Sequence, residues 1–281
     1  MNKPTVSVLT LIKRRESHLT RLVSGLCQSA HRPDELIVVR MNEPERQLPS
    51  LPFKHQQIEL SSSDALPLAT ARNMAVAAAK GDFLLFLDVD CIPDHGCISE
   101  YLRGHAASSD AVLMGAVYYL ERPLSTTWTL DQLQQIASPH PIRDPQVQTF
   151  LQPEPNYNLF WTLSFGLSRR QFERVGGFCE AYRGYGAEDT DFARLLETQS
   201  IELRWIPSAR AYHQYHASQV PPYPHLDSII GNAQVYYDRW GSWPMEKWLS
   251  AFAQAGYIEW SPDAIAIRQL RRVNSADPLT Q

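Results

Sequence analysis

Apolar positions follow two rhythms in the first third of the chain. "TVSVLTLI", Thr5 to Ile12, is continuous and β-branched, the pattern of a strand buried on both faces. In "SHLTRLVSGLCQSA", Leu19, Leu22, Val23 and Leu26 recur at helical spacing, and Ser17 is placed as the N-cap. "DELIVVR" repeats the strand pattern, "MNEPERQLPSLPF" is a proline-punctuated loop and "HQQIEL" a short strand. "LPLATARNMAVAAAKG" predicts an alanine-rich helix stopped by Gly81, and "FLLFL", Phe83 to Leu87, another buried strand. Strand, helix, strand, helix, strand predicts a parallel α/β architecture, with ligands beyond the carboxyl ends of the strands.

Leu120 to Pro155 is less regular and carries several prolines, as a lid or an inserted loop does. "YNLFWTLSFGLS" is strand-like, "RRQFERVGGF" a short helix ending in glycines and "AEDTDFARLLETQ" a helix. "IELRWIP" and "ARAYHQYH" are strand-like. The segment from His225 is helical in character and rich in tryptophan and tyrosine, and the residues from about Asn274 read as frayed.

Composition narrows the function classes. The 281 residues suit one large domain, or one with an appendage, and a net charge of −4 supplies no global basic field for nucleic acid. No apolar run reaches the roughly 20 residues a spanning helix needs. The apolar start is shorter than most signal cores and lacks a small-residue cleavage site, so it reads as a first strand. Cys27, Cys91, Cys97 and Cys179 show no CxxC spacing. They predict reduced thiols in a cytoplasmic protein, at most peripheral to a membrane, and no zinc.

Four clusters carry candidate chemistry. Asp88 and Asp90 follow the "FLLFL" strand; alternate strand residues point the same way, so the pair can converge on one hard cation or cap the next loop. Glu188, Asp189 and Asp191 occupy the first turn of a helix, where they suit its dipole, and Asp191 can pair with Arg194. Upstream glycines (Gly176, Gly177, Gly184, Gly186) allow a turn that presents a carboxylate at a cavity, where it can take a proton from a hydroxyl. His213 and His216 point in opposite directions if their segment stays extended, so one of them at most is a metal ligand unless the chain turns. Arg72 and Asn73 lie near the start of a helix aimed at the ligand end of the sheet, where Arg72 is either a phosphate partner or a solvated cation.

In this order, "VSVLTLIKRRESHL", "DELIVV", "ARNMAVAAAKGDFLLFLDVDCIP", "FGLSRRQFERVGGF", "GYGAEDTDFARLL" and "AYHQYH" resemble family 2 glycosyltransferases with the GT-A fold, over roughly Val6 to His216. "GYGAEDTDF" also resembles the acceptor-side motif of the β-1,4-galactosyltransferases. The resemblance implies a Rossmann-like, mostly parallel central sheet flanked by helices, with a helical C-terminal appendage. Residues 1–120 would form the nucleotide-sugar half, 121–218 the acceptor and catalytic half, and 219–281 the helical extension. It implies an inverting, metal-dependent transfer of a sugar from a nucleoside diphosphate, UDP by family frequency, to a hydroxyl of a glycan or other acceptor.

The implied roles follow position by position. Asp88 and Asp90 match the DxD that holds Mn2+ or Mg2+ on the donor diphosphate, Asp90 more directly; His213 matches the later metal-binding histidine, with His216 its rival. Asp189 matches the general base and Glu188 the residue that orients a sugar. Thr10, Leu11 and Arg15 sit where the first strand and its loop meet the nucleoside, Asn42 beyond the second strand near base or ribose, and Arg72 at the donor phosphates. Trp161 and Tyr185 are candidates to stack on a sugar face. Many members carry a Thr-Tyr-Asn-Arg type segment where this chain reads "LIKRR". The alternatives are a sugar nucleotidyltransferase, disfavoured because "LTLIKRRESH" has no glycine-rich phosphate loop, and a non-catalytic glycan-binding protein with the same fold. Tyr236, Tyr237, Trp240, Trp243 and Trp248 line an acceptor groove, pack on the main domain or form a homodimer contact.

Overall fold

The computed structural model describes residues 3–63, 66–143, 150–217 and 219–273. Its first part runs β1 (Val6–Ile12), α1 (Glu16–Gln28), β2 (Glu35–Met41), β3 (Lys54–Leu60), α2 (Leu68–Ala78), β4 (Phe83–Leu87), β5 (Cys91–Pro93), α3 (Cys97–Ala107) and β6 (Val112–Tyr119). Then follow α4 (Leu130–Ile136), β7 (Ser138–Pro139), β8 (Gln152–Glu154), β9 (Ser164–Ser168), α5 (Arg169–Val175), α6 (Glu188–Thr198) and β10 (Leu203–His213). The chain continues with α7 (Leu226–Trp240), α8 (Glu246–Gln254) and the paired β11 (Ile258–Glu259) and β12 (Arg268–Gln269).

The central sheet has the order β3-β2-β1-β4-β9-β6-β10-β5, with β7 on β6 and β8 on β10. β1, β2, β3 and β4 pair in parallel, as the strand-helix alternation predicts. Beyond β4 only the β6–β10 pair is parallel; β9 runs antiparallel to both β4 and β6. This mixed sheet takes apolar side chains on both faces. Leu9, Leu84, Phe86 and Phe165 join the cluster under α2, α5 and α6, while Val8, Val38, Leu85 and Leu113 join the one under α1 and α3. Phe86 stacks on Phe165 at 4.4 Å. Each such buried side chain contributes about 1.5–3 kcal/mol, so the edge where β1, β2 and β4 end is held rigidly.

Several local expectations change. α1 begins at Glu16, so Ser17 lies inside the helix and Arg15 stands at the N-cap position. α2 closes at Ala79, before Gly81. Gly81 serves packing instead, because a Cβ there would meet Ser7 Oγ at 2.5 Å and Ser7 N at 2.6 Å. Tyr157–Leu159 forms a 3-10 turn, and only Ser164–Ser168 of that run is strand. "IELRWIP" and "ARAYHQYH" contribute to one strand, β10, with a register shift between Ile206 and Arg210. The irregular region contains α4, β7 and β8; the expected fraying from Asn274 lies outside the described residues.

Candidate active site

β4 stops at Leu87, and Asp88, Val89 and Asp90 make a turn closed by the Cys91 N–H donating to the Asp88 carbonyl at 2.8 Å. Strand alternation therefore does not govern the two aspartates. Asp88 Oδ1 accepts the Asp90 N–H at 3.3 Å, as a carboxylate does in a tight turn. β5 then pairs with the end of β10, setting His213 opposite Cys91, and the Gln214 N–H donates to the Asp90 carbonyl at 2.7 Å. β10 ends at His213 and the chain leaves the strand, and His216 Nε2 lies 3.4 Å from Asp90 Oδ2. Asp90, His213 and His216 each offer a ligand atom, all within 4.8 Å of one another. One carboxylate and two imidazoles form a donor set that a divalent metal ion can use. Asp88 stands outside that group, and both histidines stand inside it, because β10 ends at His213 and strand alternation no longer holds at His216.

Asp90 is 5% exposed and well supplied with cationic partners. Arg15 Nη1 lies 3.0 Å from its Oδ2 and His18 Nδ1 2.5 Å from its Oδ1. Burial alone would raise this carboxyl, but the His18 hydrogen bond and the Arg15 charge outweigh it and hold it below the usual carboxylate range. Asp88 behaves oppositely. It keeps some solvent contact, yet desolvation and the Asp90 charge push it up to about 6. Burial brings His213 down to about 4, which keeps a lone pair free for a cation, and Tyr119 stacks on the ring at 4.8 Å. His18 escapes sequence reading. Its signal is its place in the first turn of α1, one helical turn after Arg15, at the ligand edge of the sheet.

The expected nucleoside contacts scatter. Thr10 is 1% exposed inside β1, its hydroxyl without a hydrogen-bond partner among the described residues. Leu11 packs partly into the core, and Arg15 turns to Asp90. Asn42, exposed at φ +56° just beyond β2, accepts the Ser62 N–H at 2.7 Å. Unforeseen is Arg40, fully buried, which pairs with Glu16, with Glu43 at 3.1 Å and with Gln57 at 2.6 Å. Glu43 also accepts the Arg14 N–H at 2.6 Å, so this cluster ties the loops after β1 and β2 together.

On the other side stands the N-terminus of α6. Arg72 is neither solvated nor an open cation; Nη1 donates to Glu188 at 3.0 Å and Nη2 to Thr162 Oγ1 at 2.6 Å. Its charge also acts on Asp88, which links the two carboxylate clusters. Asn73 is structural, its amide donating to the Phe178 carbonyl at 2.8 Å. Glu188 is 6% exposed, whereas Asp189 is half-buried with Oδ1 accepting the Thr190 N–H at 2.8 Å. Asp191 does not pair with Arg194, which bonds Glu197. It is wholly buried, and its Oδ1 takes bonds from Trp240 Nε1 at 2.7 Å and Tyr182 at 2.9 Å, with Arg239 at 3.2 Å. Trp161 meets His140 edge-on at 5.1 Å. Tyr185 stacks on His225 at 4.6 Å, and Trp248 lies 6.1 Å away. Tyr236 and Trp243 are buried and Tyr237 stacks on Trp243 at 4.3 Å, so the aromatic tail packs within the chain. No helix among the described residues is long and apolar enough to cross a membrane.

Comparisons with known proteins address the family and the fold. The chain is 25% identical over 224 residues to validoxylamine A glucosyltransferase of Streptomyces hygroscopicus subsp. limoneus, covering 71% of this chain and 49% of that protein. It is 24% identical over 218 residues to chondroitin synthase of Pasteurella multocida strain Pm70, covering 66% and 22% respectively. It thus spans from about a fifth to about half the length of these relatives. Among solved structures, GalNAc-T7 with UDP, GalNAc and Mn2+ superposes with a TM-score of 0.55 at 14% identity, over 85% of this chain and 51% of that one. TarS 1-349 of S. aureus with UDP-GlcNAc gives 0.55 at 15% identity, over 82% and 65%. These likenesses show a shared GT-A fold. The family model described as "Glycosyltransferase like family 2" matches residues 28–232. Since that match takes in well over half of the chain, from the end of α1 to the middle of α7, the chain belongs to glycosyltransferase family 2.

Proposed function

We propose that this chain transfers a sugar from a UDP-sugar to an acceptor hydroxyl with inversion, using a divalent ion. The observation that carries the reading is the meeting of Asp90, His213 and His216 at the carboxyl edge of the sheet, with Arg72 joining Glu188 to the field of Asp88. Asp90, His213 and His216 would hold the ion, which when bound would neutralise charge growing on the leaving diphosphate. Arg15 and His18 hold the Asp90 carboxylate in place. Glu188, fixed by Arg72, orients a sugar hydroxyl. Asp189, the more accessible of the pair, takes the proton of the attacking hydroxyl on the face opposite the leaving group, and a single displacement of this kind inverts configuration.

Support for a UDP-linked donor comes from the two solved neighbours, one with UDP and one in complex with UDP-GlcNAc. The test is a panel of UDP-sugars incubated with manganese and no acceptor, read as release of UDP. The wild-type chain should release UDP slowly from one of them, and chelator should stop it. Asp189→Asn should lower turnover about 100- to 10,000-fold and leave manganese-dependent UDP binding within about twofold. Full turnover in chelator would sink the metal assignment. Binding without turnover of any donor would favour a non-catalytic glycan-binding protein.

A further inference from the structure

The loop that delivers Glu188 and Asp189 is shaped from outside. Gly184, Gly186 and Ala187 all have positive φ, at +75°, +101° and +70°. Ala187 is the residue immediately before α6, and a left-handed alanine costs about 1–2 kcal/mol. Such a run persists only when its surroundings over-determine it. On one side Gly184 bridges to Pro67, just before α2. On the other stands α7, where Asn232 is 3% exposed. Its Oδ1 accepts the Arg183 N–H at 2.9 Å, and its amide group donates to the carbonyls of Arg183 at 3.0 Å, Tyr185 at 3.3 Å and Gly186 at 2.8 Å. One side chain thus occupies four backbone groups of a four-residue stretch, with two amide hydrogens spread over three carbonyls. Contact is close along the same face. A Cβ on Gly184 would meet Ser228 Cβ at 2.7 Å, and one on Gly186 would meet Met245 Sδ at 3.1 Å.

We propose that Asn232 is a positioning residue for the Glu188–Asp189 pair, so that helix α7 of the C-terminal extension completes the active site. The proposal rests on the glycosyltransferase reading above. Asn232 touches no substrate; it acts by holding the left-handed loop in the one shape that starts α6 where it does. Asp191, buried against Trp240 and Arg239 of the same helix, anchors the next turn independently. Without the Asn232 bonds the loop relaxes toward ordinary φ values, and the first residues of α6 move with it. A displacement of about 1 Å at a catalytic group costs on the order of 100-fold in rate.

The experiment compares wild type with Asn232→Ala and Asn232→Asp. The aspartate is nearly isosteric and can still accept the Arg183 N–H, but turns an acceptor toward three carbonyls. Three readouts are taken: amide hydrogen exchange across 183–190, binding of UDP with manganese, and kcat and KM for metal-dependent UDP release from the best donor. Both variants should exchange about tenfold faster in 183–190 while β1 and β4 keep wild-type protection. UDP affinity and donor KM should stay within about twofold, and kcat should fall about 10- to 100-fold. Unchanged exchange in the loop, unchanged kcat, or a rise in KM matching the fall in kcat would each overturn the proposal. If the Ala variant loses protection throughout, the Asp variant decides. If the wild-type chain releases UDP from no donor, the glycosyltransferase reading fails, while the exchange arm still decides whether Asn232 holds Glu188 and Asp189.

Discussion

Asp90 and Asp191 are both aspartates within acidic sequence motifs and both are buried, yet their surroundings do opposite things. Asp90 has Arg15, His18 and His213 around it, and the His18 hydrogen bond with the charges of these groups holds its carboxyl below the usual range. Asp191 takes bonds from Tyr182, Trp240 and Arg239 on one oxygen and leaves the other without a partner among the described residues; burial pushes its carboxyl up. The first is kept as an anion at the ligand edge of the sheet. The second is a clamp between α6 and α7. Residue type and motif do not separate the two roles; the company each carboxylate keeps does.

Breaking that contrast begins with Asp90→Ala. Manganese-stimulated turnover should drop about 1,000-fold, and UDP affinity should cease to respond to manganese. Calorimetric titration of UDP with and without the ion checks this, and a surviving manganese response would move the metal site elsewhere. Asp191→Ala should act on the fold instead. It strands the buried Tyr182 donor and the partly buried Trp240 donor, so stability should fall by about 2–4 kcal/mol in denaturant titration while manganese-dependent UDP binding survives. A variant as stable as wild type would mean that Asp191 clamps nothing.

The smallest effect sharpens the comparison through pH. Burial lowers the pKa of His225, whose ring stacks on Tyr185 beside the loop that Asn232 holds. A histidine lowered in the folded state stabilises fully above its ordinary value of 6.5. The contribution is lost as pH falls below 6.5 and levels off once the lowered folded value is passed. His225→Gln should therefore flatten, by a few tenths of a kcal/mol, the loss of stability between pH 7.5 and 5.5, with the Asp90 side untouched. Melting temperatures across that range measure it; parallel profiles for the two proteins would exclude His225 as a contributor.

Legibility followed the same divide. β1, β2 and β4 were readable because a strand buried on both faces needs an unbroken apolar run, as "FLLFL" provides. The start of α6 at Glu188 was readable from its acidic first turn and upstream glycines. Asp90 and the two histidines stood out as residue types that ligate ions, but their grouping without Asp88 depended on a turn after Leu87 and on the end of β10 at His213. The end of α2 was misread because Gly81 looks like a helix stop, while its small size serves the close approach to Ser7. Arg72 could not be assigned because its partner, Glu188, lies far along the chain.

By itself the sequence determined the buried parallel strands, the acidic pair at the sheet edge and the helix that opens with Glu188 and Asp189. Each is set by short-range rules: periodicity, side-chain volume and helix-end charge act within a few residues. Only the tertiary structure decided that His18 supports Asp90, that Arg72 belongs to Glu188 and that Asn232 holds the loop before α6. Those pairings join residues distant in sequence. Burial selects them, because an enclosed amide or carboxylate must find its partner wherever the packed chain supplies one.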